Sequence, residues 1–285
     1  MAIEVNGLLI NWGAEHYGGI FPSGEVKVER LYAINQDRNV VRYWACEHVR
    51  NEEFLYLLYI GLDLRDGAPN AENILRLEYV PNARLDKERG ADGDLFPINA
   101  YNAELVNHCG FSRVIGVEPH SDQFVERYNN AQVEYPTVAA LARLRKKLGE
   151  YRGIQIVFPD QGAFRRYQDA LADIAEEDVI VIGKKRQDRS IAWAKLERGK
   201  VKPDYDHIII DDLCSKGGTF VGAAEVLRAA GADGDIYLLV AHLEQNVRYG
   251  KLLSDDSPIK QIFVCTKNFG EIDHERIVYL DKEVK

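Results

Sequence analysis

The sequence predicts an α/β protein in which mostly parallel sheets are flanked by helices. Three observations carry that expectation. Short β-branched runs alternate with longer helix-like segments, the pattern of strand–helix–strand units. The runs are apolar, as strands covered on both faces must be. The alternation occurs twice, before and after about residue 137. A chain of 285 residues is also long for one hydrophobic core. The expectation is two α/β domains of similar size, 1–137 and 138–285, with a ligand site between them.

Strands are expected at 8–11, 40–45, 74–79, 113–117, 155–158, 179–182, 207–210, 235–240 and 262–265. Helices are expected at 52–63, 100–108, 136–151, 163–174 and 219–230, the last closed by Gly231 as a C-cap. Two stretches read as mobile loops. One is 86–93 (DKERGADG), charged and glycine-bearing. The other is 183–190 (GKKRQDRS), rich in cations; it is either a solvated turn or a flap that carries positive charge to a polyphosphate.

Composition narrows the function classes. Hydrophobic residues make up 46% and charged residues 28%, as in an ordinary soluble protein. A net charge of −9 argues against a general nucleic-acid binder. The basic cluster at 143–147 reads as a solvated helix face. No apolar stretch approaches the ~20 residues needed to span a membrane, and the N-terminus has no secretion-signal pattern. Cys46, Cys109, Cys214 and Cys265 are far apart and form no CxxC pair, so they read as reduced intracellular thiols. The expected location is cytoplasmic.

The most informative run is His207-Ile208-Ile209-Ile210-Asp211-Asp212-Leu213-Cys214-Ser215-Lys216-Gly217-Gly218-Thr219. A β-branched strand ends in two carboxylates, then a turn with two glycines, then a helix start. Open α/β sheets bind ligands at the carboxyl ends of their strands. Glycines let backbone N–H groups approach an anion, and the helix N-terminus adds partial positive charge. Two carboxylates can accept hydrogen bonds from sugar hydroxyls or hold a hydrated metal ion. The run describes a sugar-phosphate site.

This run resembles the ribose-phosphate loop DDxxxTGGT of phosphoribosyltransferases and ribose-phosphate pyrophosphokinases. Five further segments resemble those of the pyrophosphokinases, in order. They are Phe21-Pro22-Ser23-Gly24-Glu25 (FSDGE), Ala83-Arg84-Leu85-Asp86-Lys87 (ARQDR), Glu118-Pro119-His120-Ser121-Asp122-Gln123 (DLHxxQ), Phe158-Pro159-Asp160-Gln161-Gly162 (SPDxG) and Lys184-Lys185-Arg186 (KRR). The resemblance covers nearly the whole chain. It implies two phosphoribosyltransferase-like domains, the first with ATP-binding segments, the second with the ribose-phosphate loop and a cationic flap.

The resemblance also implies roles. ATP would be held by Phe21, Glu25, Arg84, Asp86 and His120, and Mg²⁺ by His120 and Asp160. The ribose phosphate would be held by Asp211, Asp212, Ser215, Lys216, Gly217, Gly218 and Thr219. Lys184 and Arg186 would be the catalytic cations. The implied reaction passes the diphosphoryl group of MgATP to the anomeric hydroxyl of ribose 5-phosphate and releases AMP. A homo-oligomer, dimer or hexamer, is implied because the FSDGE-like segment serves a neighbouring subunit.

Four departures from the family pattern stand out. Leu85 replaces Gln, Ser23 replaces Asp, Glu118 replaces Asp, and Ser215-Lys216 replaces Asp-Thr in the phosphate loop. The last removes one negative charge and adds one positive charge. It is either drift within an ordinary synthetase or a fit to a more charged acceptor such as ADP-ribose, whose product would feed NAD salvage. A base phosphoribosyltransferase and a non-catalytic regulatory relative are the remaining readings.

Overall fold

The computed structural model describes residues 3–10, 18–20, 23, 25–28, 37–43, 51–85, 97–149, 152–187 and 190–280. The chain divides into two compact units, Met1–Glu134 and Tyr135–Lys285.

In the first unit β1 (Ile3–Val5), β2 (Leu8–Ile10), β5 (Arg38–Tyr43), β6 (Glu72–Leu77), β7 (Arg113–Val117) and β8 (Ala131–Glu134) form one sheet in the order β2-β1-β5-β6-β7-β8. From β5 to β8 neighbours are parallel, and β1 joins β2 and β5 antiparallel. A separate antiparallel pair is β3 (Gly18–Ile20) and β4 (Val26–Val28). The helices are α1 (Asn51–Gly67), α2 (Ile98–His108) and α3 (Gln123–Arg127). Tyr43, Leu57, Ile60, Leu75 and Phe124 are fully buried in one core.

In the second unit α4 (Pro136–Leu148) leads into β9 (Ile154–Phe158), α5 (Gln161–Tyr167), β10 (Val179–Gln187), β11 (Ser190–Arg198), β12 (Asp206–Cys214), α6 (Gly218–Ala229), β13 (Ile236–Leu243), β14 (Gln261–Val264) and β15 (Ile277–Tyr279). The sheet order is β11-β10-β9-β12-β13-β14-β15, parallel except for β10 with β11. Alternation along β12 sends Ile209 into the core under α6 and Ile208 and Ile210 into the core under α4 and α5. Each such aliphatic side chain contributes about 1.5–3 kcal/mol by burial. Both faces are dry, which is why β9 and β13 are buried at every position.

The α/β class with two mostly parallel sheets is as expected. Three local expectations change. The 183–190 stretch is not a plain loop: Gly183–Gln187 end β10 and Ser190 opens β11. A hairpin at a sheet edge need not bury a face, so its sequence lacks the apolar signal of a central strand. β12 runs on through both carboxylates to Cys214. The helix expected at 163–174 stops at Tyr167 and gives way to turns. The 86–93 stretch lies outside the described residues.

Candidate active site

Chain direction sets the site in the second unit. β9 and β12 are neighbours, but β9 leads through α5 to β10 on one side and β12 leads through α6 to β13 on the other. Connections that diverge this way open a crevice at the carboxyl edge of the sheet, where open α/β folds bind ligands. Ile209 stands opposite Val157 across the β9–β12 pair. Asp160 and Asp212, each three residues further on, therefore come up together at that edge.

β10 runs out beyond the same edge. Its last partner on β9 is Phe158, opposite Val181, and the strand then runs on to Gln187 beside β11 alone. Lys184 and Arg186 lie on this extension, paired with Ala194 and Ile191, with a break in register after Lys185.

The acidic pair is held by a residue that the sequence did not single out. Arg166 of α5 donates from Nη1 to Asp211 Oδ1 at 2.7 Å and to Asp212 Oδ1 at 2.8 Å. Only 9% of the Arg166 side chain is exposed, against 14% for Asp211 and 6% for Asp212. Asp211 Oδ1 also accepts the Asp212 amide at 3.0 Å. Burial first, then the charge of Asp212, holds Asp211 well above the usual carboxylate range, although Arg166 pulls the other way. Burial disfavours the charge on Arg166, but Asp212 and Asp211 outweigh it and keep the guanidinium ionised. Removing one partner of such a buried group leaves uncompensated charge, at a cost of about 3–5 kcal/mol.

The glycine turn follows directly. The Glu244 amide donates to the Cys214 carbonyl at 2.8 Å and ties the end of β12 to the end of β13. Gly217 has φ +80°, a backbone that favours glycine, and a Cβ there would press on the Leu252 side chain, 2.0 Å from its Cδ1. At Gly218, the first residue of α6, a Cβ would meet nothing within 4 Å. The helix start is therefore open, and its first amides have no preceding helical carbonyl to serve. Phosphate can approach such an end closely. Ser215 and Thr219 are half-buried and Lys216 is exposed.

In the first unit Arg84 lies in the turn after β6 and Glu118-Pro119-His120 follows β7. Leu77 stands opposite Gly116, so both segments leave the same edge of adjacent parallel strands. Arg84 and His120 are half-buried. Glu118 is buried with φ +47°, and its amide donates to the Glu134 carbonyl at 3.0 Å. A non-glycine residue held left-handed costs about 1–3 kcal/mol, and such strain clusters at binding sites. Glu25 is exposed and accepts a hydrogen bond from the Ser23 hydroxyl at 2.8 Å. Phe21 and Asp86 lie outside the described residues.

The donors suit magnesium in one way only. Among the described residues no three of His, Cys, Asp and Glu gather as a metal cage. Asp160 Oδ1 accepts the Ala163 amide at 2.9 Å and caps α5, and His120 belongs to the first unit while Asp160 belongs to the second. Asp160 is near enough for its charge to raise Asp211. Within the second unit Asp160 fits a Mg²⁺ that takes most of its ligands from substrate phosphates and water.

Two further side chains at this edge are packed. Cys214 is fully buried at the end of β12. His242 is buried on β13, with Nδ1 2.9 Å from Thr266 Oγ1 and 3.2 Å from Asn268 Nδ2. The sequence signal for Arg166 was weak. It adjoins Arg165 in a helix of seven residues, too short for periodicity to separate the buried arginine from the exposed one.

No family model matches the chain. Relatives do. The ribose-phosphate pyrophosphokinase of Caldanaerobacter subterraneus is 29% identical over 265 residues, covering 88% of this chain and 79% of that protein. The ribose-phosphate pyrophosphokinase of Granulibacter bethesdensis is 32% identical over 215 residues, covering 74% of this chain and 66% of that protein. Ribose-phosphate pyrophosphokinase A of Dictyostelium discoideum is 27% identical, covering 81% of this chain and 70% of that protein. In fold the chain is similar to phosphoribosylpyrophosphate synthetase from Mycobacterium smegmatis, with a TM-score of 0.66, 20% identity, and coverage of 92% of this chain and 84% of that one. These relatives run over most of the chain, and the chain is a distant member of the ribose-phosphate pyrophosphokinase family.

Proposed function

We propose that the protein is an enzyme that transfers the diphosphoryl group of MgATP to the anomeric hydroxyl of ribose 5-phosphate, giving 5-phosphoribosyl diphosphate and AMP. One observation carries this reading. The acidic pair, the open glycine turn and the cation-bearing extension of β10 leave the same strand edge around the β9–β12 divergence. A sugar phosphate needs all three: acceptors for its hydroxyls, amides for its phosphate, and cations for the group that moves.

In this reading Gly217, Gly218 and Thr219 bind the 5-phosphate with their amides, and Ser215 and Lys216 flank it. Asp211 and Asp212 accept from the ribose hydroxyls. Arg166 keeps both carboxylates pointed at one place. Lys184 and Arg186 neutralise charge that develops on the diphosphoryl group, the largest catalytic effect in phosphoryl transfer. Arg84, His120 and Glu25 of the first unit contact ATP, together with Phe21 and Asp86. By the family resemblance His120 and Asp160 would be the residues that hold Mg²⁺, which would supply neutralising charge to the phosphates of ATP. Positioning is the main demand on the acceptor, and no side chain has to serve as an essential general base. The family resemblance extends the reading to a cytoplasmic homo-oligomer, dimer or hexamer.

A second reading of the acceptor rests on Lys216. An exposed cation in the phosphate loop suits a ribose whose 5-phosphate carries more charge, as in ADP-ribose, and that product would feed NAD salvage. AMP release from MgATP with ribose 5-phosphate and with ADP-ribose, side by side, tests both. Release with ribose 5-phosphate supports the first reading, and release only with ADP-ribose supports the second. No AMP from either overturns both and leaves a non-catalytic relative. AMP-free consumption of the activated sugar with a base would make it a phosphoribosyltransferase.

A further inference from the structure

A groove opens from the glycine turn and runs along α6. It has a volume of about 680 Å³ and is lined by Lys216, Gly218, Gly222, Glu225, Tyr249 and Lys251, among others. That volume lies within the range of small-molecule sites, roughly 300–1,000 Å³. We propose that this groove is a subsite for a nucleoside diphosphate group carried on the 5-carbon of the acceptor ribose. The proposal rests on the reading of the adjoining loop as a ribose-phosphate site.

The walls differ in character. One is the helix. Gly218 and Gly222 lie one turn apart on the same face, and a Cβ at either would meet nothing within 4 Å. Bare backbone lets a flat group lie close. The lining continues down to Ala229, about 16 Å of helix at 1.5 Å per residue. The other wall is the segment Tyr249-Gly250-Lys251. A Cβ on Gly250 would stand 1.9 Å from the Lys216 carbonyl oxygen, so this segment and the phosphate turn are in backbone contact. That contact sets Tyr249 and Lys251 beside the turn.

The chemistry has a direction. Lys216 and Lys251 both lie against the turn that would hold the 5-phosphate, although the charge of Lys251 also acts on the Asp256 carboxylate. A second phosphate joined to the first falls between them. Tyr249 is 79% exposed, a costly place for a large ring unless something covers it. An exposed ring suits a base, which can stack on its face. Glu225 is nearly two turns beyond Gly218 on the groove side of α6. A carboxylate there repels phosphate but accepts hydrogen bonds from sugar hydroxyls or an exocyclic amine. The charged end of the ligand therefore belongs at the turn and its nucleoside end down the helix.

Calorimetric titration of the full chain with ADP-ribose and with ribose 5-phosphate, each with Mg²⁺, tests this. Gly222→Leu fills the groove from an exposed helix position, and Lys251→Gln removes a cation outside the phosphate turn. Each is expected to weaken ADP-ribose about tenfold, near 1.4 kcal/mol, and to leave ribose 5-phosphate unchanged. Tyr249→Ala should do the same to a smaller extent. Unchanged ADP-ribose affinity in both principal variants, equal weakening of both sugars, or no ADP-ribose binding to the native chain would overturn the proposal. AMP release with ribose 5-phosphate, read on the same native and variant proteins, judges the phosphotransfer reading separately. Its retention beside unaltered ADP-ribose binding in the variants rejects the groove alone. Its absence from the native chain beside a selective loss of ADP-ribose binding in the variants rejects the catalytic reading alone.

Discussion

The carboxyl edges of the two sheets hold their chemistry by different means. In the second unit a buried guanidinium fixes two carboxylates, and the glycine turn is fixed by the positive φ of Gly217 and by the backbone contact of Gly250 with the Lys216 carbonyl. In the first unit Arg84 and His120 are half-buried, and the distinctive device is left-handed backbone beside them, at Asn82 in the Arg84 turn and, at greater steric cost, at Glu118. The first arrangement is over-determined by charge and sterics. The second stores strain beside a turn. Substitutions in the Arg166–Asp211–Asp212 cluster or at Gly217 should therefore cost stability as well as function, whereas the first-unit turn should exchange stability against ligand binding.

The largest expected effect breaks the buried triad. Arg166→Met should lower unfolding stability by about 3–5 kcal/mol at neutral pH, because two buried carboxylates lose their counter-charge. Denaturant melts should show it, and Asp211→Asn added to Arg166→Met should recover part of the loss. A change below about 0.5 kcal/mol would mean that the ion pairs contribute nothing net, as exposed pairs often do. Next comes Lys184→Ala on the β10 extension. It is expected to lower turnover by about 10²–10³-fold with little effect on melting, as removal of one transition-state donor does elsewhere.

His207, at the far end of β12 from the carboxylates, sharpens the same point with pH. Burial, aided by Arg228, pushes its imidazole down to about 4 from the ordinary 6.5. Its ring nitrogens have no partner among the described residues. Between those two values the unfolded chain takes up a proton that the folded chain refuses. Stability contributed at neutral pH is thus lost as pH falls from about 6.5 toward about 4, by up to roughly 3 kcal/mol. His207→Leu should flatten that part of the stability profile. The smallest effect is at Glu118. Glu118→Gly should relieve its left-handed backbone and raise stability by about 1 kcal/mol, while weakening MgATP binding measured by titration.

How much the sequence disclosed depended on burial. β12 was legible because an unbroken Ile208-Ile209-Ile210 run followed by two carboxylates fits few environments. Gly217 was legible because a tight turn before a helix calls for a positive φ. The hairpin β10–β11 was not, because an edge extension rich in Lys and Arg has no apolar period to mark it as strand. Arg166 was hidden because its partners lie some 45 residues away in sequence, and a helix this short shows no buried face. The groove could not be read at all. Its walls come from α6 and from Tyr249-Gly250-Lys251, and only folding brings Gly250 against the Lys216 carbonyl. Phe21 and Asp86 stay where the sequence left them, as expectations drawn from resemblance.

The central claim is that an intact diphosphoryl group moves to the anomeric oxygen of a ribose 5-phosphate unit. Phosphorus NMR of the products formed from MgATP and ribose 5-phosphate tests it directly, with ADP-ribose as a second acceptor. AMP is expected together with a diphosphate coupled to the anomeric carbon, in equal amounts, and neither product in Lys184→Ala on the same timescale. ADP as the nucleotide product, or a single phosphate on the sugar, would contradict it.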